Sequence, residues 1–547
     1  MKTPPRPARP EPRPLPLPVA GILAALGGLS QALTLPQAGL WPLAFFCLIP
    51  LYWAIRGQTP QRAWLIGWIY GLALGLLSFY WLGQVMAGYG GLGAGGNLVL
   101  LLLAAFLALH QGIWAWLMAP LAWRSSRPWL LALLGAGLWV GLDHLKNWAF
   151  TGFNWSPLAV GLAREPRLMG AADLIGLYGL GLPLAAISGW LAFFNPKKPK
   201  SLALVGLALG TLGLMWLYGQ SSLARWTEIA RQGPEKKIVI LQASVEQERK
   251  WDVAYRDLIL ARYQILTERA NATQPWLVIW PETAAPFSYG LDEAETTWLN
   301  QLLAQNPQPA LVGVTRLELG SDQPRLHNRA WLMRESGPGP YYDKQHLVPF
   351  GEYVPLAEEL PFLKWPFFQG VLGAAGTYSP GRPQAPIVHD GVQLGVMICF
   401  ESIFPYMARE TVLNGAQLLV VTTNDAWFGD SWAPEQHLYQ AAWRAVENRR
   451  PLIRAANNGI SAQILPSGRI LDRTGHNEVG AYIYLVSLLP EDSRGLTLFT
   501  RFGHYLSPLL ALLASALTLV RLSRSPKIRK KISSWVKPSK TNVFKAN

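Results

Sequence analysis

Seven apolar runs of membrane-spanning length crowd the first 220 residues, and an eighth lies near the end of the chain. A bilayer core takes a helix of about 20 apolar residues. The runs at 17–35, 38–55, 63–83, 97–122, 129–149, 168–194, 201–219 and 503–520 are therefore expected to be transmembrane helices. Glycine and proline interrupt the sixth. The first run could also be a signal peptide, because a basic segment precedes it and Ser30-Gln31-Ala32 resembles a cleavage site. A retained helix is favoured, because seven further spans follow and the charge pattern fits an even count.

With the N-terminus on the cytoplasmic side, that side collects Lys2, Arg6, Arg9 and Arg13, Arg56 and Arg62, Arg124 and Arg127, Lys197, Lys198 and Lys200, and nine basic residues from Arg521 to Lys545. These are 20 of the 48 lysines and arginines, with Glu11 as the one acid among them. The opposite loop 84–96 carries no charge. This is the positive-inside pattern. The rest of the chain holds 28 basic and 32 acidic residues, so the net charge of +15 reports orientation and gives no indication of nucleic-acid binding. The expected organisation is a cytoplasmic basic segment 1–16, seven helices over 17–219, an extracytoplasmic domain 220–502, an eighth helix 503–520 and a cytoplasmic tail 521–547. In a bacterium this puts the domain in the periplasm, on an inner-membrane protein with both termini inside.

Within 236–490, apolar β-runs alternate with helical patterns. Strands are expected at 237–245, 276–282, 310–315, 328–333, 393–399, 417–425 and 452–458, with helices at 253–270, 291–305 and 435–449. "SAQILP" and "AYIYLVSL" close the domain as further β-runs. Continuous apolar runs with helices between them indicate a layered α/β domain whose sheet is covered. No glycine-rich phosphate loop opens a helix, and no Cys/His spacing suggests a metal. Of two cysteines, Cys47 sits in the apolar run "LAFFCLIP" and reads as packing. Cys399 ends the strand run "QLGVMIC" and has no disulfide partner inside the domain.

Two other β-run ends carry charge: Glu282 in "WLVIWPE" and Lys344 in "YYDKQHLVPFGEYVP". A thiol, a carboxylate and an ammonium make a nucleophile, a general base and an oxyanion stabiliser. Each has a plainer reading: Cys399 as core, Glu282 as a cap, Lys344 as a solvated surface group. His327, His346 and His437 show no evident spacing to a cysteine. Arg444, Glu447, Arg450 and Arg454 read as structural ion pairs. Trp427 and Phe428 could line a pocket or fill the core. Glu401 could cap a helix starting near Ser402 or act in the site.

"WPET", "DKQHLVPFGEYVP" and "ICFES", in that order, together with "TTNDAWFGDSWAPEQH" and "RAVENRRPLIRAANNGISAQI", resemble the Glu-Lys-Cys signatures of the nitrilase, or carbon–nitrogen hydrolase, superfamily. With flanking membrane helices the chain is similar over nearly its whole length to the apolipoprotein N-acyltransferase family. The resemblance implies an αββα sandwich with Glu282, Lys344 and Cys399 as catalytic triad. It implies supporting roles for Glu352, as the acid orienting the lysine, and for Glu401. Phe400 stands where relatives often carry tyrosine; its N–H would join the oxyanion site. Trp251 matches a tryptophan in a loop over the site. The apolar segment 360–372, with Trp365 and Phe367, is expected to be a lid at the lipid interface, and Trp427 a pocket wall. The resemblance further implies acyl transfer from a phospholipid, through a Cys399 thioester, to the α-amine of a diacylglyceryl-cysteine apolipoprotein. No cofactor is implied, and a monomer is expected. The rivals are a membrane-tethered nitrilase-type amidase, since water can attack the same thioester, and a transporter or assembly scaffold, against which the scarcity of charge in the spans argues.

Overall fold

Proline and glycine set where the apolar runs start, break and touch. The computed structural model describes residues 13–89, 91–121, 127–149, 152–319, 324–356, 359 and 378–523. Its first helices are α1 (Leu17–Ala32), α2 (Ile49–Ala54), α3 (Pro60–Ser78), α4 (Tyr80–Gly88), α5 (Gly96–Met118), α6 (Pro128–Leu145), α7 (Pro166–Met169), α8 (Ala172–Phe193) and α9 (Leu202–Gln232). Pro60 and Pro128 occupy first helical positions, where the missing N–H costs nothing. Gly67, Gly71 and Gly75 form a stripe on α3 against α5. A Cβ at Gly67 would stand 2.3 Å from the carbonyl oxygen of Gln111, so the two helices meet backbone to backbone.

Four described helices, α5, α6, α8 and α9, are long and apolar enough to cross a membrane, and the pair α3–α4, bent by 56°, makes a fifth. Four elements differ from the sequence expectation. The run expected over 17–35 is a shorter apolar helix of 16 residues, ending at Ala32. The run 38–55 is no continuous helix: Pro42 and Pro50 divide it into a 3-10 turn (Trp41–Phe45) and α2. The run 63–83 bends at Phe79. α9 continues 13 residues beyond position 219, which at 1.5 Å per residue adds about 20 Å of helix. The basic segments at 2–9, at Arg124 and beyond 523 lie outside the described residues.

The second part carries α10 (Gln247–Lys250), α11 (Val253–Asn271), α12 (Glu293–Gln305), α13 (Pro405–Leu413), α14 (Ala433–Asn448) and the closing α15 (Leu498–Ser523). Its strands are β1 (Glu235–Gln242), β2 (Leu277–Ile279), β3 (Ser288–Tyr289), β4 (Ala310–Glu318), β5 (Arg325–Arg334), β6 (Gly337–Asp343), β7 (Ile387–His389), β8 (Val392–Ile398), β9 (Leu418–Thr423), β10 (Leu452–Ala456), β11 (Ala462–Ile464), β12 (Ile470–Leu471) and β13 (Gly480–Ser487). One sheet runs β13-β1-β2-β4-β5-β6, the other β12-β11-β10-β9-β8-β7. The neighbours β1, β2 and β4 are parallel, as are β8, β9 and β10.

Alternation along each strand divides the side chains between layers. Ile238, Ile240, Ile279, Val396, Ile398, Val420 and Ile453 meet between the two sheets. Val239 and Leu241 face outward onto Ile259, Tyr263 and Leu299 of α11 and α12. Met397, Leu419 and Val421 face the other way, into a cluster that holds α13, α14 and the membrane helices together. The result is an αββα sandwich whose second helical layer is also the roof of the membrane domain.

α14 lies in that layer, and every one of its residues but the half-buried Tyr439 is buried. Several of its polar groups are paired across the junction. Trp155 donates its indole N–H to Gln436 at 2.8 Å, and Glu447 accepts from the N–H of Leu177 at 2.8 Å. Just past the helix, Arg449 pairs with Asp173 of α8 at 2.8 Å. The ion-pair reading holds for Arg444 with Glu447 at 3.0 Å, and for Arg454, whose partner is Asp425. It does not hold for Arg450, which donates to backbone carbonyls of Ala416, Arg449 and Arg494 among others.

Candidate active site

Parallel strands present their carboxyl ends at one edge, and there the three chemistry-bearing residues converge. Glu282 follows β2, Lys344 follows β6 and Cys399 follows β8. The Lys344 ammonium, 1% exposed, lies 3.2 Å from Glu282 Oε1 and 2.9 Å from Glu352 Oε1. Asn328 on β5 donates to both carboxylates, at 2.7 and 3.3 Å. The N–H of Asn424, just after β9, donates to Glu282 Oε2 at 2.8 Å. Glu352 is itself fixed by the N–H of Val348 at 2.8 Å. β4 runs close behind: a Cβ at Gly313 would stand 2.0 Å from the carbonyl oxygen of Pro281.

Electrostatics give each group a definite state. Burial works against ionisation of Glu282, but Lys344 and then Lys250 outweigh it and hold the carboxyl below the ordinary glutamate range. Burial likewise works against the charge on Lys344, yet Glu282 and Glu352 hold that amine well above the ordinary lysine value. Burial and the Glu282 charge push the Cys399 thiol far up, against Lys344. The shifts favour a Cys399 thiol beside a Glu282 carboxylate, the pairing in which a neighbouring base would be needed to make the sulfur reactive.

Cys399 sits on a strained turn. Cys399 has φ 53°, a left-handed conformation unusual for a residue with a side chain, and opens a 3-10 turn (Cys399–Ile403). Glu401, fully buried, holds the turn in place. Its carboxylate accepts from the N–H of Ile398 at 2.7 Å, of Gln345 at 2.7 Å and of His346 at 3.0 Å, and from the Tyr342 hydroxyl at 3.0 Å. One side chain thus ties the Cys399 turn to the Lys344 segment, so the capping and the functional readings of Glu401 describe the same bonds. Burial pushes its carboxyl up to about 7, against the N–H groups of Ile398 and His346.

A second charged cluster supports the turn from behind. His437 of α14 lies 3.0 Å from the carbonyl oxygen of Cys399 and 3.0 Å from Asp425. Arg454 of β10 pairs with Asp425 at 2.6 Å. Burial opposes the charge on Asp425, but Arg454 and His437 hold the carboxyl below the ordinary range. Burial, then Arg454, keeps His437 below its usual value.

The remaining expected site residues fall at the rim or in the core. Phe400 turns its ring into the core, stacked on Phe153 at 6.2 Å and edge-on to Phe404 at 5.0 Å. Trp427, half-buried in the turn after Asn424, meets Tyr89 of the membrane part edge-on at 5.4 Å. Phe428 packs on Trp81 and Trp155. Trp251 is half-buried at the end of α10. Trp365, Phe367 and the segment 360–372 lie outside the described residues.

Comparison with known proteins agrees with this geometry in both halves of the chain. Residues 27–191 match the apolipoprotein N-acyltransferase N-terminal domain, and residues 241–488 match the carbon–nitrogen hydrolase family. An apolipoprotein N-acyltransferase of Geobacter metallireducens is 33% identical over 498 residues, 88% of this chain and 91% of its own length. One from Azotobacter vinelandii is 35% identical, over 83% of this chain and 86% of its own. The chain belongs to the apolipoprotein N-acyltransferase family. Among solved structures, an amidase of the nitrilase superfamily from Nesterenkonia AN1 aligns with 48% of this chain and 94% of its own, at 20% identity and a TM-score of 0.35.

Against that family background, the site holds residues that the sequence motifs did not single out. Asn328 and Asn424 hydrogen-bond Glu282, and Asp425 and His437 back the Cys399 turn. Lys250 reaches the backbone of Glu282. Their common signal is a polar residue in or at the end of a buried β-run: Asn328 within β5, Asn424 and Asp425 just past β9. Lys250 and His437, on helices, had no such signal. Among the described residues no group of three or more His, Cys, Asp or Glu side chains could hold a metal ion.

Proposed function

We propose that this protein is an apolipoprotein N-acyltransferase that works through a Cys399 thioester, with Glu282 as general base and Lys344 as oxyanion stabiliser. The observation that carries the reading is the buried Glu282–Lys344–Glu352 cluster at the strand ends, beside the Cys399 turn, whose far side is backed by the helical layer shared with the membrane domain. Cys399 Sγ attacks the ester carbonyl of a phospholipid while Glu282 takes the thiol proton. The oxyanion forms against Lys344 and the N–H of Phe400. Collapse breaks the ester C–O bond, and Glu282 returns the proton to the departing lysophospholipid. In the second half, the α-amine of a diacylglyceryl-cysteine apolipoprotein attacks the thioester. Glu282 takes a proton from the amine, the C–S bond breaks, and the sulfur recovers its proton as the amide is released.

The placement supports lipid substrates. The aromatic wall of Tyr89, Trp427, Trp81 and Phe428 joins the site to the membrane part, and apolar surface beside the thioester excludes water between the half-reactions. The charge pattern supports a catalytic domain on the periplasmic face with both termini cytoplasmic, in a protein that acts as a monomer. In this reading Trp251 and Trp427 line the acyl path.

Reconstitution in phospholipid vesicles with a diacylglyceryl lipopeptide tests the reading. Mass spectrometry of the lipopeptide should show one added fatty acyl group, absent with Cys399→Ala. Release of free fatty acid at the same rate with and without lipopeptide would replace the transferase reading by the hydrolase one.

A further inference from the structure

A second lysine is buried beside Glu282 and takes no part in the triad. Lys250, the last residue of α10, is 2% exposed. Its ammonium donates to the carbonyl oxygen of Glu282 at 3.2 Å and to the Thr283 hydroxyl at 2.6 Å. These two residues form the turn that aims the Glu282 carboxylate, and Thr283 is held there at φ 43°, in the left-handed region. Burying an ammonium on two neutral oxygens is costly unless negative charge lies close. Burial draws the amine down to about 8, and the negative charge that opposes this is Glu282 itself.

We propose that Lys250 is a positioning residue of the acyl transfer: its ammonium clamps the Glu282–Thr283 turn and, acting through Glu282, keeps that carboxylate ionised for proton transfer in both half-reactions. The inference rests on the reading of Glu282 as general base. The division of labour follows from geometry. Lys344 bonds the carboxylate end of Glu282 and also neutralises Glu352, so its single charge is shared between two acids. Lys250 approaches from the backbone side and restores the balance to two cations against two carboxylates. The other groups around Glu282 are Asn328 from β5 and Asn424 after β9, both neutral. Cys399 lies within the field of Glu282, and Asp425 is already paired with Arg454.

The test is the rate of acyl-enzyme formation against pH, by rapid quench and mass spectrometry of the full-length protein in phospholipid–detergent micelles. Lys250→Gln removes the charge and keeps an N–H donor for Thr283; Lys250→Met removes both; Lys250→Arg keeps both. Both neutral variants should move the acid limb of the profile upward by about one pH unit, so that acylation is about tenfold slower on the acid side and converges with wild type at high pH. Lys250→Arg should restore the limb. A limb unmoved in Lys250→Gln, whether rates fall uniformly or stay at wild type, would overturn the proposal and leave Lys250 as packing or a plain clamp. Glu282→Gln is run alongside: if it still forms acyl-enzyme at the wild-type rate, the base assignment itself is wrong, whatever Lys250 does.

Discussion

Replacing Lys344 by methionine should reverse the pH dependence of stability that the Glu282 site contributes. In the native protein Glu282 is held below the ordinary glutamate range. Its contribution is therefore present above the unfolded-state value and lost as pH falls through the folded one. Methionine keeps the volume and removes the cation 3.2 Å from Glu282 and 2.9 Å from Glu352. Burial, the largest influence on Glu282, is then opposed by Lys250 and by the neutral donors Asn328 and the Asn424 N–H, without Lys344, and the carboxyl moves up. A raised carboxyl contributes stability below its unfolded value and loses it as pH rises, at about 1.4 kcal/mol for each pH unit that separates the folded value from the unfolded one. Breaking one partner out of a buried charge cluster costs about 3–5 kcal/mol. For a domain of this size that corresponds to a fall of about 6–20 °C in Tm near neutral pH. The assay is Tm in detergent from pH 4 to pH 8 for wild type and Lys344→Met. The gap should be smallest at the acid end and widen towards neutrality. Parallel curves would refute the picture of Lys344 as the counter-charge that keeps Glu282 ionised.

Two further substitutions separate the supports of the nucleophile turn. Glu401→Gln sets an amide N–H against one of four converging donors, so Tm should fall by an amount equivalent to about 2–4 kcal/mol. Thioester formation should be lost with it; retention of both, by melting and mass spectrometry, would mean the turn holds without Glu401. Asp425→Asn leaves the buried Arg454 guanidinium without its carboxylate, at a cost of about 3–5 kcal/mol. Because His437 then loses its partner on the side away from Cys399, acyl-enzyme formation in this variant should slow by more than in a surface substitution matched for Tm; equal slowing would make the cluster a core element only.

Much of the fold and the site is legible in the sequence because the chemistry sits where periodic patterns stop. Glu282 and Cys399 end short runs of buried β-formers, and a strand end at the carboxyl edge of a parallel sheet is where a side chain can face substrate. The helices α11, α12 and α14 fall within two residues of their expected positions. Only the end of β6, "YYD" before Lys344, is legible, because the strand opens in the turn residues "GPGP"; an edge strand tolerates proline, since one side of its ladder is unpaired. β3 and β12, of two residues each, are too short to show a period. The supporting residues are hidden for a different reason. Nothing in the sequence around Lys250 and His437 marks either side chain as a support of the site, and it is burial under another layer that fixes their partners. His437 belongs to a helix buried on nearly all sides, a state that a mixed polar and apolar helix does not announce. The breaks at Pro42 and Phe79 show the converse. Hydropathy marks where apolar chain must go, while proline and local packing decide whether it goes as one helix.

The most direct test of the central claim is mass spectrometry of the purified protein after exposure to phospholipid with no amine acceptor. A fatty-acyl mass on the Cys399 peptide is predicted, labile to hydroxylamine, absent in Glu282→Gln, and discharged when a diacylglyceryl lipopeptide is added. An unmodified Cys399 peptide from a protein that still N-acylates the lipopeptide would contradict the account.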